Sequence, residues 1–288
     1  MKYITLHELT STIRNNIYKI PHDIDFVIGI PRSGIIVGSI ISEFLNVPLI
    51  DIDSYCNGSK PTGGNRLSIA NKSKSNKVLV VDDTTYSGNS MSQAKEKLKN
   101  DNHEFIYGVA YLEAFDGLNT IDFYLENLIP FTKHFPNILY EWNIFHHYPA
   151  IMLRTIYDMD GVLCLDPPDE RNTEEYEKYI QNAIPLYVPS VPIGKIVTYR
   201  LIKYKEQTSK WLEDNGIQCN TLGMFNAQSY KERQDMNISP EIMKGSFYKD
   251  DIESILFIES NDHQAQEIHK ISGKPVLSIE KNILYGGE

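Results

Sequence analysis

The chain has 288 residues, enough for one large or two ordinary domains, and its 41% share of hydrophobic residues is that of a globular protein. A net charge of -10 argues against a nucleic-acid-binding surface, whose affinity comes largely from neutralising phosphates. No apolar run approaches the roughly 20 residues that a membrane span needs, and the N-terminus lacks the apolar core of a signal peptide. We therefore expect a cytoplasmic protein that binds no nucleic acid and has no membrane span.

The first half of the chain alternates helical and strand patterns. The predicted elements are, in chain order, a helix over 6–17, a strand over 25–30, a helix over 35–45, a strand over 47–52, a central strand over 77–81, a helix over 90–99, and strands over 105–112 and 121–128. Such alternation implies a mainly parallel sheet with helices on its faces. Ligands of these sheets bind beyond the carboxyl ends of the strands, so a site is expected in the loops there.

The central strand ends in two adjacent acids, and a loop rich in hydroxyl groups then leads into a helix. A helix N-terminus offers a phosphate free backbone N–H groups and the favourable end of the helix dipole. Carboxylates repel phosphate but suit sugar hydroxyls or a metal ion, so a ligand touching both should carry a sugar diol beside a phosphomonoester. The candidate binding residues are Asp82, Asp83, Thr84, Thr85, Tyr86, Ser87, Gly88, Asn89 and Ser90. The alternative is a strand end with Asp residues as helix caps.

This stretch resembles the phosphoribosyl pyrophosphate (PRPP) motif of the type I phosphoribosyltransferases. The family usually has Thr where this chain has Ser87 and Ser90, so the hydroxyl groups are kept. The resemblance implies that the acid pair binds the ribose hydroxyls of PRPP and that the loop binds its 5-phosphate.

Two further loops occur in the order of that family. Residues 31–34 match the loop that holds pyrophosphate, which implies contacts from Arg32, Ser33 and Gly34. The turn-rich loop 58–66 matches the flexible catalytic hood, where Lys60 and Arg66 are candidates to bind the departing pyrophosphate. Taken singly, either loop also fits an ordinary turn or a solvated surface loop.

An aromatic segment over 131–148 follows, and Trp142 is the candidate contact for the acceptor, because many family members close the acceptor site with late aromatic residues. Packing between two domains is the alternative explanation. His146 and His147 are only weak evidence for a metal site, because adjacent side chains diverge and the sequence has no third ligand nearby. The base for the transfer is not identified, with Glu113 and Asp116 as guesses beyond a core strand.

The strand pattern restarts after Pro149 with a predicted buried strand over 150–157, which ends in the sequence Asp158-Met159-Asp160-Gly161. Two carboxylates one residue apart at a strand end can bind one Mg²⁺. The sequence resembles the first motif of the haloacid-dehalogenase-like (HAD) phosphatases. That resemblance implies Asp158 as the nucleophile and Asp160 as the general acid and base. A calcium loop is the alternative, but the further acids of an EF-hand loop are missing.

Later segments match the remaining HAD motifs in order. A strand over 194–200 carries Thr198, which matches the hydroxyl that binds the phosphoryl group. Lys244 matches the lysine that offsets negative charge, and Lys249 is a second candidate. A strand over 255–258 leads to the last acidic motif, which departs from the family by having Glu where Asp is usual. The resemblance implies the catalytic residues Asp158, Asp160, Thr198 and Lys244, and the Mg²⁺ ligands Asp158, Asp160, Glu259 and Asp262.

The predicted fold is therefore α/β with two domains, each a mainly parallel sheet flanked by helices. A type I phosphoribosyltransferase domain is expected at 1–149 and a HAD-like domain at 150–288. One helix near 173–183 and the short intervals between motifs leave little room for a cap domain. A site with so little cover suits large substrates, whereas small metabolites are usually enclosed.

Together the two resemblances imply a bifunctional enzyme with PRPP as donor and Mg²⁺ at both sites. The first activity would place a 5-phosphoribosyl group on a glycan or glycolipid, and the second would remove the 5-phosphate, as in polysaccharide biosynthesis. One alternative is a phosphoribosyltransferase for orotate or another nucleobase with a nucleotidase-like phosphatase. Another is a regulator that binds RNA or PRPP, against which the acidic charge counts. A homodimer and other glycan-assembly enzymes as partners stay open.

Overall fold

The computed structural model describes residues 1–64, 75–129, 137–168 and 173–287. The chain separates into a first unit, Ile4–Pro136, and a second unit, Asn137–Glu288 together with Met1–Tyr3. This division comes earlier than the predicted boundary at 149/150. The physical reason is that Leu139, Ile144 and Phe145, from the aromatic segment, belong to the hydrophobic core of the second unit.

The first unit contains a five-stranded parallel sheet in the order β3-β2-β4-β5-β6. Its strands are β2 (Phe26–Gly29), β3 (Leu49–Asp51), β4 (Lys77–Thr85), β5 (Glu104–Leu112) and β6 (Phe123–Asn127). Its helices are α1 (Leu6–Asn16), α2 (Ser33–Leu45), α3 (Ile52–Cys56) and α4 (Asn89–Leu98), and a 3-10 turn spans Phe115–Thr120. The apolar run of β4 lies in the middle of the sheet because both of its faces are covered, as is usual for parallel sheets.

Local signals fix the helix ends of the first unit. Thr5 caps α1 through a capping box, in which the Glu8 N–H donates to Thr5 Oγ1 at 3.1 Å and the Thr5 N–H donates to Glu8 Oε2 at 2.7 Å. The same helix buries Leu9 and Ile13, one turn apart on its inner face. Asn46, in the left-handed conformation, ends α2.

The second unit contains a six-stranded sheet in the order β10-β9-β8-β11-β12-β13, parallel except for its last strand. Its strands are β8 (Thr155–Tyr157), β9 (Ile193–Leu201), β10 (Cys219–Phe225), β11 (Leu256–Glu259), β12 (Val276–Ser278) and β13 (Ile283–Tyr285), and a separate pair joins β1 (Lys2–Ile4) to β7 (Ile138–Tyr140). Its helices are α5 (Pro149–Met152), α6 (Thr173–Asn182), α7 (Lys205–Asp214), α8 (Tyr230–Met236), α9 (Pro240–Asp250) and α10 (Asp262–Ser272).

The α/β class and the mainly parallel sheets agree with the sequence analysis, but two predicted strands differ from those observed. The central strand, predicted over 77–81, continues through the acid pair to Thr85. The predicted strand over 150–157 is a short helix, α5, followed by the three residues of β8. Pro149 occupies the first turn of α5, where its missing N–H and fixed φ favour a helix start. Within the described ranges, no helix has the length and apolar character to cross a membrane.

Candidate active sites

The acid pair of the first unit lies at the carboxyl end of β4 and is nearly buried, with Asp82 9% and Asp83 8% exposed. The Asp82 carboxylate accepts from the Asp83 N–H at 2.9 Å, and the Asp83 carboxylate accepts from the Thr84 N–H at 2.8 Å. Burial, together with the neighbouring Asp83, raises the pKa of Asp82 to about 8. The backbone therefore fixes both carboxylates at a strand end, where they can accept hydrogen bonds from the hydroxyl groups of a ligand.

The loop of residues 31–34 lies directly against this pair, because β2 and β4 are neighbours in the sheet. A Cβ atom at Gly34 would lie 2.6 Å from the Val81 carbonyl oxygen and 3.1 Å from Asp82 Oδ1, so only glycine permits this approach. Arg32 is exposed, the peptide bond that precedes it is cis, and Ser33 is the first residue of α2. The structure thus brings the loop and the acid pair together.

The hydroxyl-rich loop joins β4 to α4 through Gly88, which has a φ of 76°. A Cβ atom there would lie 2.5 Å from Thr120 Cγ2, so the 3-10 turn packs tightly on this loop. The same turn meets Thr85, since a Cβ atom at Gly117 would lie 2.5 Å from Thr85 Oγ1. Tyr86, Ser87, Asn89 and Ser90 are exposed at the N-terminus of α4, Thr84 is half-buried, and Thr85 and Gly88 are buried. The loop has the placement expected of a phosphate-binding loop.

The remaining candidates of the first unit are the two basic residues of the predicted hood and the two residues suggested as the base. Lys60 is exposed after α3, and Arg66 lies outside the described residues. Asp116 lies in the 3-10 turn packed on the phosphate loop, and the Glu113 N–H donates to the Thr85 carbonyl at 3.0 Å. Both guesses for the base therefore belong to the segment that borders this loop.

Trp142, the predicted acceptor contact, belongs to the second unit, where its ring lies 4.9 Å from that of Tyr140. The two histidines diverge as expected. His147 is buried and its Nε2 atom lies 2.9 Å from the Ile138 carbonyl oxygen, whereas His146 is exposed and its Nδ1 atom lies 3.0 Å from Ser190 Oγ. Burial lowers the pKa of His147. The pair does not share a metal position.

In the second unit, a buried ion cluster joins the ends of β8 and β11. The Lys244 ammonium, on α9, donates to Asp158 Oδ2 at 2.8 Å, to Glu259 Oε2 at 2.7 Å and to Gln264 Oε1 at 3.0 Å. Burial opposes the charge of Lys244, but the two carboxylates outweigh it and raise its pKa. Burial and the charge of Glu259 raise the pKa of Asp158 well above its ordinary value, and Lys244 opposes that shift. Lys249, the second candidate, is exposed in the last turn of α9.

Asp160 is held by residues that the sequence analysis did not identify. The buried Arg200 guanidinium donates to Asp160 Oδ1 from Nη2 at 2.6 Å, and Nε donates to Oδ1 at 3.0 Å and to Oδ2 at 3.2 Å. The Tyr179 hydroxyl, on α6, donates to Asp160 Oδ1 at 2.7 Å. The sequence did contain a signal for Arg200, because it lies near the end of the mostly buried strand β9 and buried charges are usually paired. Tyr179 gave no such signal, since its contact depends on the tertiary fold.

The remaining predicted residues separate into two groups. Thr198 is buried and accepts from the Arg200 N–H at 3.3 Å, and Glu259 is buried in the ion cluster. Asp262 is not brought to that cluster. Its carboxylate accepts from the Tyr285 hydroxyl at 2.7 Å and from Gln266 at 2.8 Å, and the Tyr285 contact lowers the pKa of Asp262. The prediction of Asp262 as a metal ligand is therefore not matched by its position.

A cavity of about 530 Å³ opens over this cluster. It is lined by Asp158, Asp160, Asp166, Pro167, Tyr199, Pro240, Lys244, Ser260, Asn261, Gln264 and Glu280. Ser260 Oγ donates to the Asp160 carbonyl at 3.1 Å and lies 3.3 Å from Glu259 Oε1, so it ties the two strand ends together. The nucleophile and acid predicted from the sequence thus share one cavity wall.

The predicted four-carboxylate metal site is only partly formed. Asp158 and Glu259 converge on the Lys244 ammonium, whereas Arg200 engages the Asp160 carboxylate and Tyr285 that of Asp262. No group of three or more His, Cys, Asp or Glu side chains in the described ranges is arranged to hold a metal ion. Mg²⁺ is commonly bound by one or two carboxylates together with substrate phosphates and water, so Asp158, which lines the cavity, can serve as such a ligand, with the buried Glu259 behind it.

Residues 3–115 match the family model described as the phosphoribosyl transferase domain, and this part of the chain is therefore a phosphoribosyltransferase domain. It is similar to orotate phosphoribosyltransferase from Aeropyrum pernix, at 16% identity over 42% of this chain and 69% of that one with a TM-score of 0.32. A purine phosphoribosyltransferase from Pyrococcus horikoshii is 21% identical over 49% of this chain and 92% of that one, with a TM-score of 0.35. The xanthine-guanine-hypoxanthine phosphoribosyltransferase of Helicobacter pylori is 14% identical over 50% and 92%, also with a TM-score of 0.35. A comparison with curated proteins found no match.

Proposed function

We propose that this chain transfers a 5-phosphoribosyl group from PRPP to a hydroxyl group of a glycan or glycolipid in the cytoplasm, and then removes the 5-phosphate. The product is an acceptor that carries an unphosphorylated ribofuranose. The observation that carries the proposal is the cluster of Asp158, Lys244 and Glu259 under an open cavity, in a chain that also contains a phosphoribosyltransferase domain. The product of the first reaction is the kind of phosphomonoester that the second site would cleave.

In the transfer step, the acceptor oxygen forms a bond to the anomeric carbon of ribose as the bond from that carbon to pyrophosphate breaks. Pyrophosphate leaves with the bonding electrons, and a base takes the hydroxyl proton, with Glu113 and Asp116 as candidates. Asp82 and Asp83 hold the ribose hydroxyls while positive charge develops at the anomeric carbon. Arg32 and the N–H groups of its loop stabilise the leaving pyrophosphate, and Mg²⁺ would supply further positive charge there when bound. Attack opposite an α-pyrophosphate gives a β-linkage.

In the hydrolytic step, an Asp158 oxygen forms a bond to phosphorus as the ester bond from phosphorus to the sugar oxygen breaks. The sugar oxygen takes a proton from Asp160. Water then attacks the aspartyl phosphate, gives a proton to Asp160 and releases phosphate together with the free Asp158 carboxylate. Lys244 offsets the negative charge of the phosphoryl group. The short hydrogen bonds from Arg200 and Tyr179 fix the position of Asp160 beside the nucleophile.

Mg²⁺ would be held in the second unit by Asp158 and Glu259, and when bound it would supply positive charge beside the phosphoryl oxygens. Asp158 and Lys244 would orient the ester for in-line attack. The Glu259 carboxylate reaches the same Lys244 ammonium as Asp158, although the phosphatases that the sequence resembles usually have the shorter Asp there.

The experiment that tests the proposal is product analysis by mass spectrometry with PRPP, Mg²⁺ and a panel of acceptors. A glycan that ends in a free hydroxyl should gain one ribosyl unit, with release of pyrophosphate and phosphate. Orotate, hypoxanthine, guanine, adenine and uracil should give no product. Steady formation of orotidylate or a purine nucleotide, at the rates of about 1–10³ per second common for metabolic enzymes, would replace this proposal with the nucleobase alternative.

A further inference from the structure

Apart from Lys244, the charged side chains described as lining the cavity of the second unit are all carboxylates. Among the described residues that line it, Lys244 is the single positively charged side chain, and its ammonium already bonds to two carboxylates. Asp166 and Glu280 add two further carboxylates outside that cluster. A ligand with one phosphate can place it at Lys244, but a second anionic group would find no further positively charged side chain among the described residues that line the cavity.

The two acids reach the cavity from different segments of the second unit. The Glu280 carboxylate accepts from the Asp262 N–H at 2.9 Å, and the Glu280 N–H donates to the Ser260 carbonyl at 3.2 Å, which fixes this residue at the cavity wall. Asp166 belongs to the segment that follows Gly161 and is exposed to the cavity. Burial raises the pKa of Asp166, and the charges of Asp160 and Glu259 add to that shift, whereas Lys244 opposes it. Asp166 and Glu280 therefore place two carboxylates on the cavity wall outside the lysine cluster.

A chain with both activities has a selectivity problem, because PRPP itself is a 5-phosphomonoester. A phosphatase site that accepted every ribose 5-phosphate would destroy the donor before transfer. The donor and the phosphoribosylated acceptor differ at the anomeric carbon, where one carries pyrophosphate and the other an uncharged glycan. A cavity of about 530 Å³ admits the whole ribosyl unit, so the group at the anomeric carbon enters or borders the cavity.

We propose that Asp166 and Glu280 make the second site selective for phosphomonoesters of otherwise uncharged sugars and exclude PRPP by repelling its pyrophosphate. This inference rests on the proposed phosphatase function of the same site. The two carboxylates can also accept hydrogen bonds from sugar hydroxyls. The same wall therefore favours binding of the phosphoribosylated acceptor, which is the product of the first site and the substrate of the second. Selectivity thus comes from a repulsive element against the competitor as well as from contacts to the substrate.

The test compares phosphate release from methyl β-ribofuranoside 5-phosphate and from PRPP by the full chain, in Mg²⁺ and without an acceptor. Phosphate formed by Asp158→Asn protein is subtracted from each rate. The wild-type kcat/KM should be about tenfold higher or more for the riboside phosphate, and this ratio should fall as added salt screens the repulsion. The double variant Asp166→Asn, Glu280→Gln should lower the ratio by about threefold or more, since it removes two negative charges without changing side-chain size.

The matched control is Glu213→Gln with Asp235→Asn, which removes the same charge from exposed positions on α7 and α8 outside the cavity lining. Its ratio should equal that of the wild type. The inference would be overturned if the wild type hydrolysed both esters equally well, or if the Asp166→Asn, Glu280→Gln variant had an unchanged ratio. Either result would leave the proposed phosphatase activity standing. Failure of the wild type to hydrolyse the riboside phosphate at all would instead overturn the proposed function, and this inference with it.

Discussion

The Lys244 ammonium bonds to both Asp158 and Glu259, and all three side chains are at most 6% exposed. We expect Lys244→Met to lower the free energy of unfolding of the second unit by about 3–5 kcal/mol, because it leaves two buried carboxylates without their counter-charge. Urea denaturation followed by tryptophan fluorescence measures this effect, since both tryptophans, Trp142 and Trp211, lie in the second unit. Phosphatase activity should also be lost.

Lys249→Met is the matched control for this variant, because Lys249 lies on the same helix but is exposed. Its unfolding free energy should stay within about 0.5 kcal/mol of the wild type, with activity retained. The reverse pattern, an inactive Lys249→Met beside an active Lys244→Met, would assign the functional lysine to the other candidate.

The raised pKa of Asp82 predicts how the stability of the first unit depends on pH. The pKa of Asp82 in the folded chain is about 8, above the value of about 3.9 for an unperturbed Asp. The folded state therefore holds the proton more tightly, so the stability gained from this group is present below about pH 4 and is lost as the pH rises towards 8. Asp82→Asn is neutral throughout, and its stability relative to the wild type should increase over that range.

Hydrogen exchange of the peptide that covers β4, compared between Asp82→Asn and wild type at each pH, measures this difference locally. Asp235→Asn, which changes an exposed residue of the second unit, should show no trend with pH in the same peptide. Equal protection of wild type and Asp82→Asn at pH 5 and pH 8 would show that Asp82 is ionised without cost in the folded chain.

The tight packing of the loop between β4 and α4 predicts that substitution of Gly88 is costly. Gly88 has a φ of 76° and no room for a Cβ atom, whereas Gly58 has a φ of 83° with nothing within 4 Å. Gly58→Ala should cost only the strain of a left-handed alanine, about 1–2 kcal/mol. Gly88→Ala should cost more and should weaken PRPP binding in calorimetry, because the loop must move away from Thr120. Similar costs and unchanged PRPP affinity for both variants would contradict the tight packing of this loop.

The sequence identified elements well where a local pattern determined them. The apolar run before Asp82 and the helix after Thr5 formed as predicted, because strand burial and helical periodicity are encoded by nearby residues. The strand over 150–157 was predicted wrongly because an apolar run does not distinguish a short helix from a strand without weighing Pro149. Arg200 and Tyr179 were missed because their contacts with Asp160 join residues far apart in sequence. Motif order thus located the candidate site, but not the residues that support it.

At the scale of the whole molecule, the acid pair and the ion cluster belong to different compact units, each with its own sheet. Asp82 and Asp83 lie in the first unit, and Asp158 lies in the second. A chemical change confined to one cluster leaves the core of the other unit intact, so substitutions should separate the two activities.

We expect Asp158→Asn to block phosphate release while transfer continues, so that a phosphoribosylated acceptor accumulates and is detected by its mass. The change is nearly isosteric and keeps a hydrogen-bond acceptor for Lys244, but it removes the nucleophile. The reciprocal variant, Asp82→Asn with Asp83→Asn, should lose PRPP binding in calorimetry and still hydrolyse an aryl phosphate in Mg²⁺. Unchanged PRPP affinity in that variant would reduce the acid pair to a capped strand end. A folded Asp158→Asn protein that lost transfer and hydrolysis together would refute two separate sites, because one site would then be performing both reactions.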